Sequence, residues 1–138
     1  MILDKISIFS SGFMKKLALA TIALGFSVGV NAACDTKSLK GDFYFSASGI
    51  DNGYTCANLG IANFDGKGTM KTHTVYGCGS ETFETDMTSV YQLKSNCMGS
   101  AVGSNGFTYS FVMNKALTNG NFFASQNGAV GVGTMTKQ

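Results

Sequence analysis

Apolar and polar residues alternate with a period of two along most of the chain after residue 40, and helical periodicity is nearly absent. In the segment 42–48, Phe43, Phe45 and Ala47 share one face, and smaller or more polar residues occupy the other. The same alternation predicts further strands over 54–64, 69–76, 81–87, 89–93, 98–102, 107–113, 121–126 and 129–136. A tight bend is expected to join the segments 81–87 and 89–93. Asn127-Gly128 predicts a type I′ turn in the last hairpin.

Eight or nine short strands at roughly ten-residue spacing are typical of an all-β barrel or sandwich. Gly60, Gly131 and Gly133 lie inside predicted strands, where glycine often marks a bulge or a barrel corner. Closing the sheet would also remove its exposed edges. We therefore predict one domain over residues 33–138, a small antiparallel up-and-down β-barrel of about eight strands. Such a barrel is either filled by side chains or holds one small ligand.

The first 32 residues predict an export signal. Lys15 and Lys16 precede an apolar stretch at 17–30, and the small residues around Ala32 fit a cleavage site. The apolar stretch is shorter than the about 20 residues that a spanning helix needs. We expect cleavage after Ala32, or after Ala33, and translation from either Met1 or Met14. The protein would then be periplasmic or secreted.

Cys34 lies just after this cleavage site, which raises the possibility of a lipid anchor. A lipidation signal needs leucine or a similar residue three positions before the cysteine, and Asn31 stands there. We therefore expect no stable membrane anchor.

Composition narrows the partner classes. The chain is 44% hydrophobic and 13% charged, which argues against disorder. Its formal net charge of +2 belongs to the predicted leader, so the remaining residues are neutral. All ten basic residues are lysines, whereas arginine is the usual bidentate reader of phosphate and guanine. A nucleic-acid partner is therefore not expected.

The cysteine count predicts two disulfides, because an even number in an exported chain is typical of a disulfide framework. No pair has the spacing of a redox or zinc motif. Three pairings are open for the four residues, which are Cys34, Cys56, Cys78 and Cys97.

The turn between the second and third predicted strands favours one of these pairings. The segment 63–69 reads as a hairpin turn with Gly68 in the left-handed conformation. If Asp65 pairs with Thr69, the same register places Cys56 directly opposite Cys78. Cys34–Cys97 then follows by elimination and would tie the N-terminal segment to the barrel.

Several motifs together carry a family resemblance. They are the first strand Leu-Lys-Gly-Asp-Phe-Tyr-Phe at 39–45, the hairpin Phe-Asp-Gly-Lys-Gly at 64–68 and Asn-Cys-Met-Gly at 96–99. This order resembles small exported bacterial β-barrel proteins related to calycins and allene-oxide-cyclase-like barrels. The resemblance covers nearly all of residues 33–138. It implies the barrel fold and no particular catalytic activity.

Catalytic and metal-binding residues are few. His73 is the only histidine, no Gly-x-Ser-x-Gly motif is present, and no acid is seen to pair with His73. Glu84 and Asp86 would share one strand face near Glu81, either as a paired-carboxylate site or as a solvated strand edge. We expect the edge. With one histidine and all cysteines in disulfides, no metal site and no cofactor is expected.

Aromatic residues on the inward faces are the candidate ligand site. They would either fill the core or line a cavity, because a domain of this size also needs them for its own core. The cavity candidates are Phe43, Phe45, Phe64, Tyr76, Tyr109 and Phe111, with Met113 and Phe122 beside them.

These observations predict an exported, non-enzymatic binding or interaction module that takes a small apolar ligand or a protein partner. The first alternative is a cyclase- or isomerase-like barrel enzyme that uses His73, Glu84 or Asp86. Catalysis by these three side chains would be ruled out if all of them face solvent. The second alternative is a structural protein of the envelope or the secreted fraction.

Overall fold

A computed structural model describes residues 34–138, which fold into eight antiparallel strands. Each strand pairs with the next along the chain, and the eighth pairs with the first, so the sheet closes. The predicted all-β, up-and-down barrel is therefore confirmed. The strands are β1 (Lys40–Asp51), β2 (Tyr54–Asp65), β3 (Thr69–Cys78), β4 (Glu81–Leu93), β5 (Met98–Gly103), β6 (Thr108–Met113), β7 (Asn119–Gln126) and β8 (Ala129–Lys137).

The predicted signal peptide at residues 1–32, with its alternative start at Met14, lies outside the described residues. Between residues 34 and 138, no helix is long and apolar enough to span a membrane.

Strand β4 corrects the prediction of two strands joined by a bend. It runs without interruption through 13 residues and pairs with β3 from Thr69↔Val90 to Cys78↔Glu81. The reason is that the inward positions Met87, Ser89 and Tyr91 keep one unbroken alternation, so no residue has to leave the ladder. The number of strands is therefore eight.

The β2–β3 hairpin forms as predicted and sets the first disulfide. The Asp65 carboxylate accepts hydrogen bonds from the backbone N–H of Lys67 at 2.6 Å and of Thr69 at 2.9 Å, and Gly68 has a φ of 103°. The resulting register places Cys56 opposite Cys78. Both predicted disulfides, Cys56–Cys78 and Cys34–Cys97, are present.

The β7–β8 hairpin turn differs from the prediction. In the β7–β8 turn only Gly128 has a positive φ, whereas a type I′ turn needs it at both central residues, so the predicted turn type is wrong. The type I′ pattern is found instead between β1 and β2. There Asn52 has a φ of 47° and Gly53 a φ of 87°.

The two ends of the barrel are built differently. One, here called the closed end, carries the turn 66–68, the loops 94–97 and 114–118, and the N-terminal segment 34–39. The other, here called the mouth, carries the turns 52–53, 79–80, 104–106 and 127–128. The segment 34–39 covers the closed end, and the Cys34–Cys97 disulfide holds it there.

Aromatic side chains fill the closed end. Phe64 contacts Phe43 edge to face at a centroid distance of 5.3 Å and Tyr91 at 5.0 Å, with Phe111 at 6.3 Å. All four side chains are buried, as is Leu39 of the N-terminal segment. Burying each of these side chains contributes about 1.5–3 kcal/mol. The closed end is therefore the main hydrophobic core.

The Tyr91 hydroxyl joins three segments at this end. It accepts a hydrogen bond from the N–H of Gly66 at 3.0 Å and donates to the carbonyl oxygen of Leu39 at 2.7 Å. The carbonyl oxygen of Thr36 lies 3.1 Å away. A buried tyrosine hydroxyl needs such partners, so Tyr91 fixes the N-terminal segment and the β2–β3 turn together.

The mouth half of β4 forms a strand edge. Its ladder with β5 ends at Ser89↔Gly103, and only one further bond follows, from the N–H of Ser104 to the carbonyl oxygen of Thr88. From Glu81 to Asp86 the strand pairs with β3 alone, and its residues are exposed on both faces. The acidic residues therefore lie on a solvated edge, as the sequence predicted.

Candidate functional site: the barrel cavity

Above the closed end the barrel encloses a cavity of about 640 Å³. Small-molecule sites in proteins span about 300–1,000 Å³, so this volume is large enough for one ligand. Its lining includes Asn52, Asn105 and Asn127 from the turns at the mouth. The cavity therefore reaches the surface at that end.

Small inward-facing residues leave this space unfilled. Ala47 on β1, Ala124 on β7 and Gly131 on β8 all line the cavity. The sequence pattern predicts a bulge or barrel corner at Gly131, whereas the structure uses this glycine as an inward position without a side chain. Its neighbours keep the regular ladder with β1.

Two other strand glycines leave room for aromatic rings that a side chain at the same position would displace. A Cβ added at Gly60 would lie 2.9 Å from the Phe45 ring, and one added at Gly133 would lie 2.5 Å from the Phe122 ring. These rings stand edge to face with centroids 6.1 Å apart. The two glycines therefore let the backbone approach the rings that form part of the cavity wall.

Five of the six predicted cavity residues line the cavity, namely Phe45, Phe64, Tyr76, Tyr109 and Phe111. Phe43 does not. It is fully buried in the closed end, one inward position below Phe45. Of the two additional candidates, Phe122 lines the cavity, and Met113 packs in the closed-end cluster.

Several polar and apolar lining residues on β2, β3 and β4 were not predicted from the sequence. Thr72 and Thr74 line the cavity from β3, Asn58 from β2, and Phe83 and Met87 from β4. The threonine-rich β3 looks polar on both faces in sequence, so alternation alone does not mark an inward side. The β2–β3 register would have marked it, since it places Thr72 opposite the inward Ala62.

Some inward polar atoms have no protein partner. The Oδ1 atom of Asn58 and the hydroxyl oxygens of Thr72 and Ser89 are buried without a hydrogen bond. Thr72 is 8% exposed. An unsatisfied buried polar group costs about 1–3 kcal/mol. Asn58 and Thr72 both line the cavity, so these two oxygens without a protein partner belong to its wall.

Charge is confined to the mouth. Among the residues that line the cavity, the charged ones are the acidic Asp51 and Glu84, and only the Asp51 side chain faces inward, because the Glu84 side chain lies on the outer face beside His73. The Tyr76 hydroxyl donates to Asp51 at 3.1 Å, and burial followed by this hydrogen bond raises the pKa of Tyr76. The phenol therefore stays neutral at neutral pH, where it donates to the Asp51 carboxylate.

Asp51 also lies within 4.8 Å of the sulfur atoms of Cys56 and Cys78, a grouping of potential metal-ligand types. The two sulfurs are joined in a disulfide, so they do not offer thiolates to a metal ion.

Tyr109 supplies an uncharged polar group to the opposite wall. Burial raises the pKa of Tyr109 to about 12, so the phenol stays protonated. Its hydroxyl faces the sulfur of Met87 at 3.7 Å, and a thioether is a weak acceptor. The interior therefore presents neutral polar groups on an otherwise apolar surface.

His73, Glu84 and Asp86 meet on the outer face of the barrel. Contrary to the expectation from sequence, His73 does have an acidic partner, because the β3–β4 register pairs it with Asp86 and brings Nδ1 within 2.8 Å of Oδ1. Glu84 lies 3.9 Å from Nε2. The hydrogen bond to Asp86, and then the charges, raise the pKa of His73. The three side chains are 56–84% exposed to solvent. Catalysis by these residues inside the barrel is therefore ruled out.

A second, shallower depression lies on the outer face of β5 to β8. It is lined in part by Met98, Val112, Phe123 and Val132, which are all exposed. This part of the outer face therefore exposes several apolar side chains to solvent.

Comparison of the chain with protein-family models, with curated proteins and with solved structures found no match in any of the three. The barrel itself is consistent with a calycin-like fold. Its two disulfides are typical of proteins that mature in an oxidising, extracellular type of environment.

Proposed function

We propose that this protein is an exported, calycin-like barrel of bacterial origin that binds one small, mainly apolar molecule in its cavity and catalyses no reaction on it. The observation that carries this proposal is the cavity of about 640 Å³, which aromatic side chains line and which reaches the mouth. A barrel whose only task was structural could fill this volume with its own side chains.

The distribution of side-chain size along the barrel supports the proposal. The closed end is packed with aromatic rings, while the inward positions above it include Ala47, Ala124 and Gly131. Ligand sites are typically apolar pockets with a few placed polar groups. Asn58 and Thr72 supply such groups here.

Direct binding tests the proposal. The full chain is exported, purified and titrated with Nile red, a neutral apolar dye whose fluorescence rises in an apolar site. Native mass spectrometry on the same sample would detect a copurified molecule. We expect saturable dye binding with one site per barrel. Absence of both dye binding and any copurified molecule would overturn the proposal.

A matched pair of variants localises the binding. Ala124 lines the cavity, and Ala57 is exposed on the outer face of β2. We expect Ala124→Phe to weaken dye binding at least about tenfold, equivalent to about 1.4 kcal/mol, and Ala57→Phe to leave it unchanged. Equal binding by both variants would place the dye outside the cavity and contradict the proposal.

Export to the periplasm or the medium is tested by the mature N-terminus. We expect the purified protein to begin at Ala33 and to contain no free thiol. A protein that keeps residues 1–32 and reduced cysteines in the cytoplasm would contradict this part of the proposal.

A further inference from the structure

The charge of the cavity lining restricts the ligand. Both charged residues that line the cavity, Asp51 and Glu84, are acidic, and the one whose side chain faces inward is Asp51, towards the mouth. A carboxylate or phosphate inside the barrel would therefore find no cationic partner and would pass Asp51 on entry. Moving an ion out of water without a counter-charge is strongly unfavourable.

The unpartnered oxygens restrict the ligand further. The side-chain carbonyl oxygen of Asn58 can only accept a hydrogen bond, and the Thr72 hydroxyl can accept or donate one. Both atoms are buried and have no protein partner. Both residues line the cavity from adjacent strands, and Thr72 is more than nine-tenths buried.

These two polar points lie at different depths along one wall. Asn58 is opposite Tyr76, near the mouth, whereas Thr72 is opposite Ala62, nearer the closed end. Thr74 lies between them on the same wall. The remaining wall is mostly apolar or aromatic, with Phe45 and Phe122 among its residues. The cavity therefore has one side with unpartnered polar oxygens and one mostly apolar side, on which the Tyr109 hydroxyl already donates to the Met87 sulfur.

We propose that the ligand is an uncharged molecule with at least one hydroxyl or amide N–H group, which it donates to the Asn58–Thr72 wall while its apolar part contacts the opposite wall. This inference rests on the proposed function, because it assumes that the cavity is the binding site. It excludes fatty acids and other anionic amphiphiles as the ligand class. It also excludes purely apolar molecules as the preferred ligands.

The test is displacement of bound Nile red from the full chain by matched compounds that differ only in their polar group. Decanol and methyl nonyl ether are isomers, and only decanol donates a hydrogen bond. Decanoate has a negatively charged head group in place of the hydroxyl, and decylammonium has a positively charged one. We expect decanol to displace the dye at concentrations at least about tenfold lower than either the ether or decanoate.

A double variant tests whether the preference for decanol over the ether depends on the Asn58–Thr72 wall. Asn58→Leu with Thr72→Val removes both oxygens at nearly constant volume. Its control is Asn121→Leu with Thr88→Val, the same chemistry at exposed outer positions. We expect the first variant to lose the preference for decanol over the ether while it still binds the ether. The control should keep the preference.

Three results would overturn the inference while leaving cavity binding intact. They are equal displacement by decanol and the ether in the unmodified protein, displacement by decanoate at the lowest concentration, and displacement by decylammonium at the lowest concentration. The last result would place the polar group at Asp51 instead. Failure of the dye to bind at all would overturn the proposed function itself, so the two failures are distinguishable.

Discussion

The closed end and the mouth of this barrel are made by the same alternation and yet have opposite properties. Phe43 and Phe45 are consecutive inward residues of β1, but Phe43 is fully buried among other rings, whereas Phe45 faces the cavity. The difference comes from the N-terminal segment, which covers only one end. Alternation decides which side chains point inward, and the cover decides whether they become core or a binding surface.

The largest expected effect is on the free energy of unfolding, which a phenylalanine-to-alanine substitution should lower much more at the closed end than at the mouth. Phe64 is buried in the closed end, and Phe83 at the mouth is 48% exposed. We expect Phe64→Ala to lower the free energy of unfolding by about 3–5 kcal/mol, because it leaves a cavity in a packed core. Phe83→Ala should cost less than about 1 kcal/mol. Denaturant titrations measure both, and similar losses would show that the two ends are equally packed.

The two disulfides give the next largest contrast. Cys34–Cys97 spans 63 residues and holds the cover of the closed end, while Cys56–Cys78 spans 22 residues nearer the mouth. On the chain-entropy model, replacing both cysteines by alanine should cost about 4 kcal/mol for the first pair and about 3 kcal/mol for the second. Equilibrium unfolding of both variants tests this order. A larger loss for the second pair would contradict it.

Two buried hydroxyls should respond in opposite directions. The Tyr91 hydroxyl at the closed end is fully bonded, so Tyr91→Phe should lower the free energy of unfolding by about 1–3 kcal/mol. The Thr72 hydroxyl has no protein partner, so Thr72→Val should raise it by about 1 kcal/mol in ligand-free protein. Thermal melts of the two variants suffice. A loss for Thr72→Val would mean that its oxygen is already satisfied.

The smallest expected effect concerns the outer face near the mouth. Asp86, more than Glu84, raises the pKa of His73. The stabilisation from this pairing is therefore complete below the usual histidine pKa of about 6.5 and is lost as pH rises through the raised value. Because His73 is the only histidine, its ring signals can be followed by NMR without assignment.

Carboxylate variants check the cause of this shift. We expect Asp86→Asn to return the His73 pKa towards its usual value and Glu84→Gln to lower it by less, because Glu84 is farther from the ring. If both variants left the titration unchanged, the partners of His73 in solution would differ from those in the structure.

Much of the fold could be predicted from the sequence because residues close together in the chain determine the turns and the inward face of each strand. The β2–β3 turn fixes the register of these two strands, and this register alone places Cys56 opposite Cys78. Period-two alternation likewise identifies the inward faces of β1 and β6. Alternation alone does not fix the register between β3 and β4, and for this reason the pairing of His73 with Asp86 was missed.

The candidate site was less predictable because it depends on depth along the barrel. Nothing local distinguishes Phe43 from Phe45, or shows that Thr72 faces inward on a strand with threonines on both faces. Gly131 was interpreted as a corner because a missing side chain and a bend look alike in sequence. Which inward residues border open volume is decided only when the eight strands close and segment 34–39 seals one end.

Both ends of the described chain leave the barrel on the side away from the mouth. Cys34 is bonded to Cys97 at the closed end, and the N–H of Gln138 donates to the carbonyl oxygen of Asp42 beside the start of β1. A tether that continues from either end of the segment 34–138 therefore starts on the side away from the mouth and leaves the entrance of the cavity free. The barrel can be anchored to a sensor surface, or fused to another protein, without blocking the route by which a ligand enters.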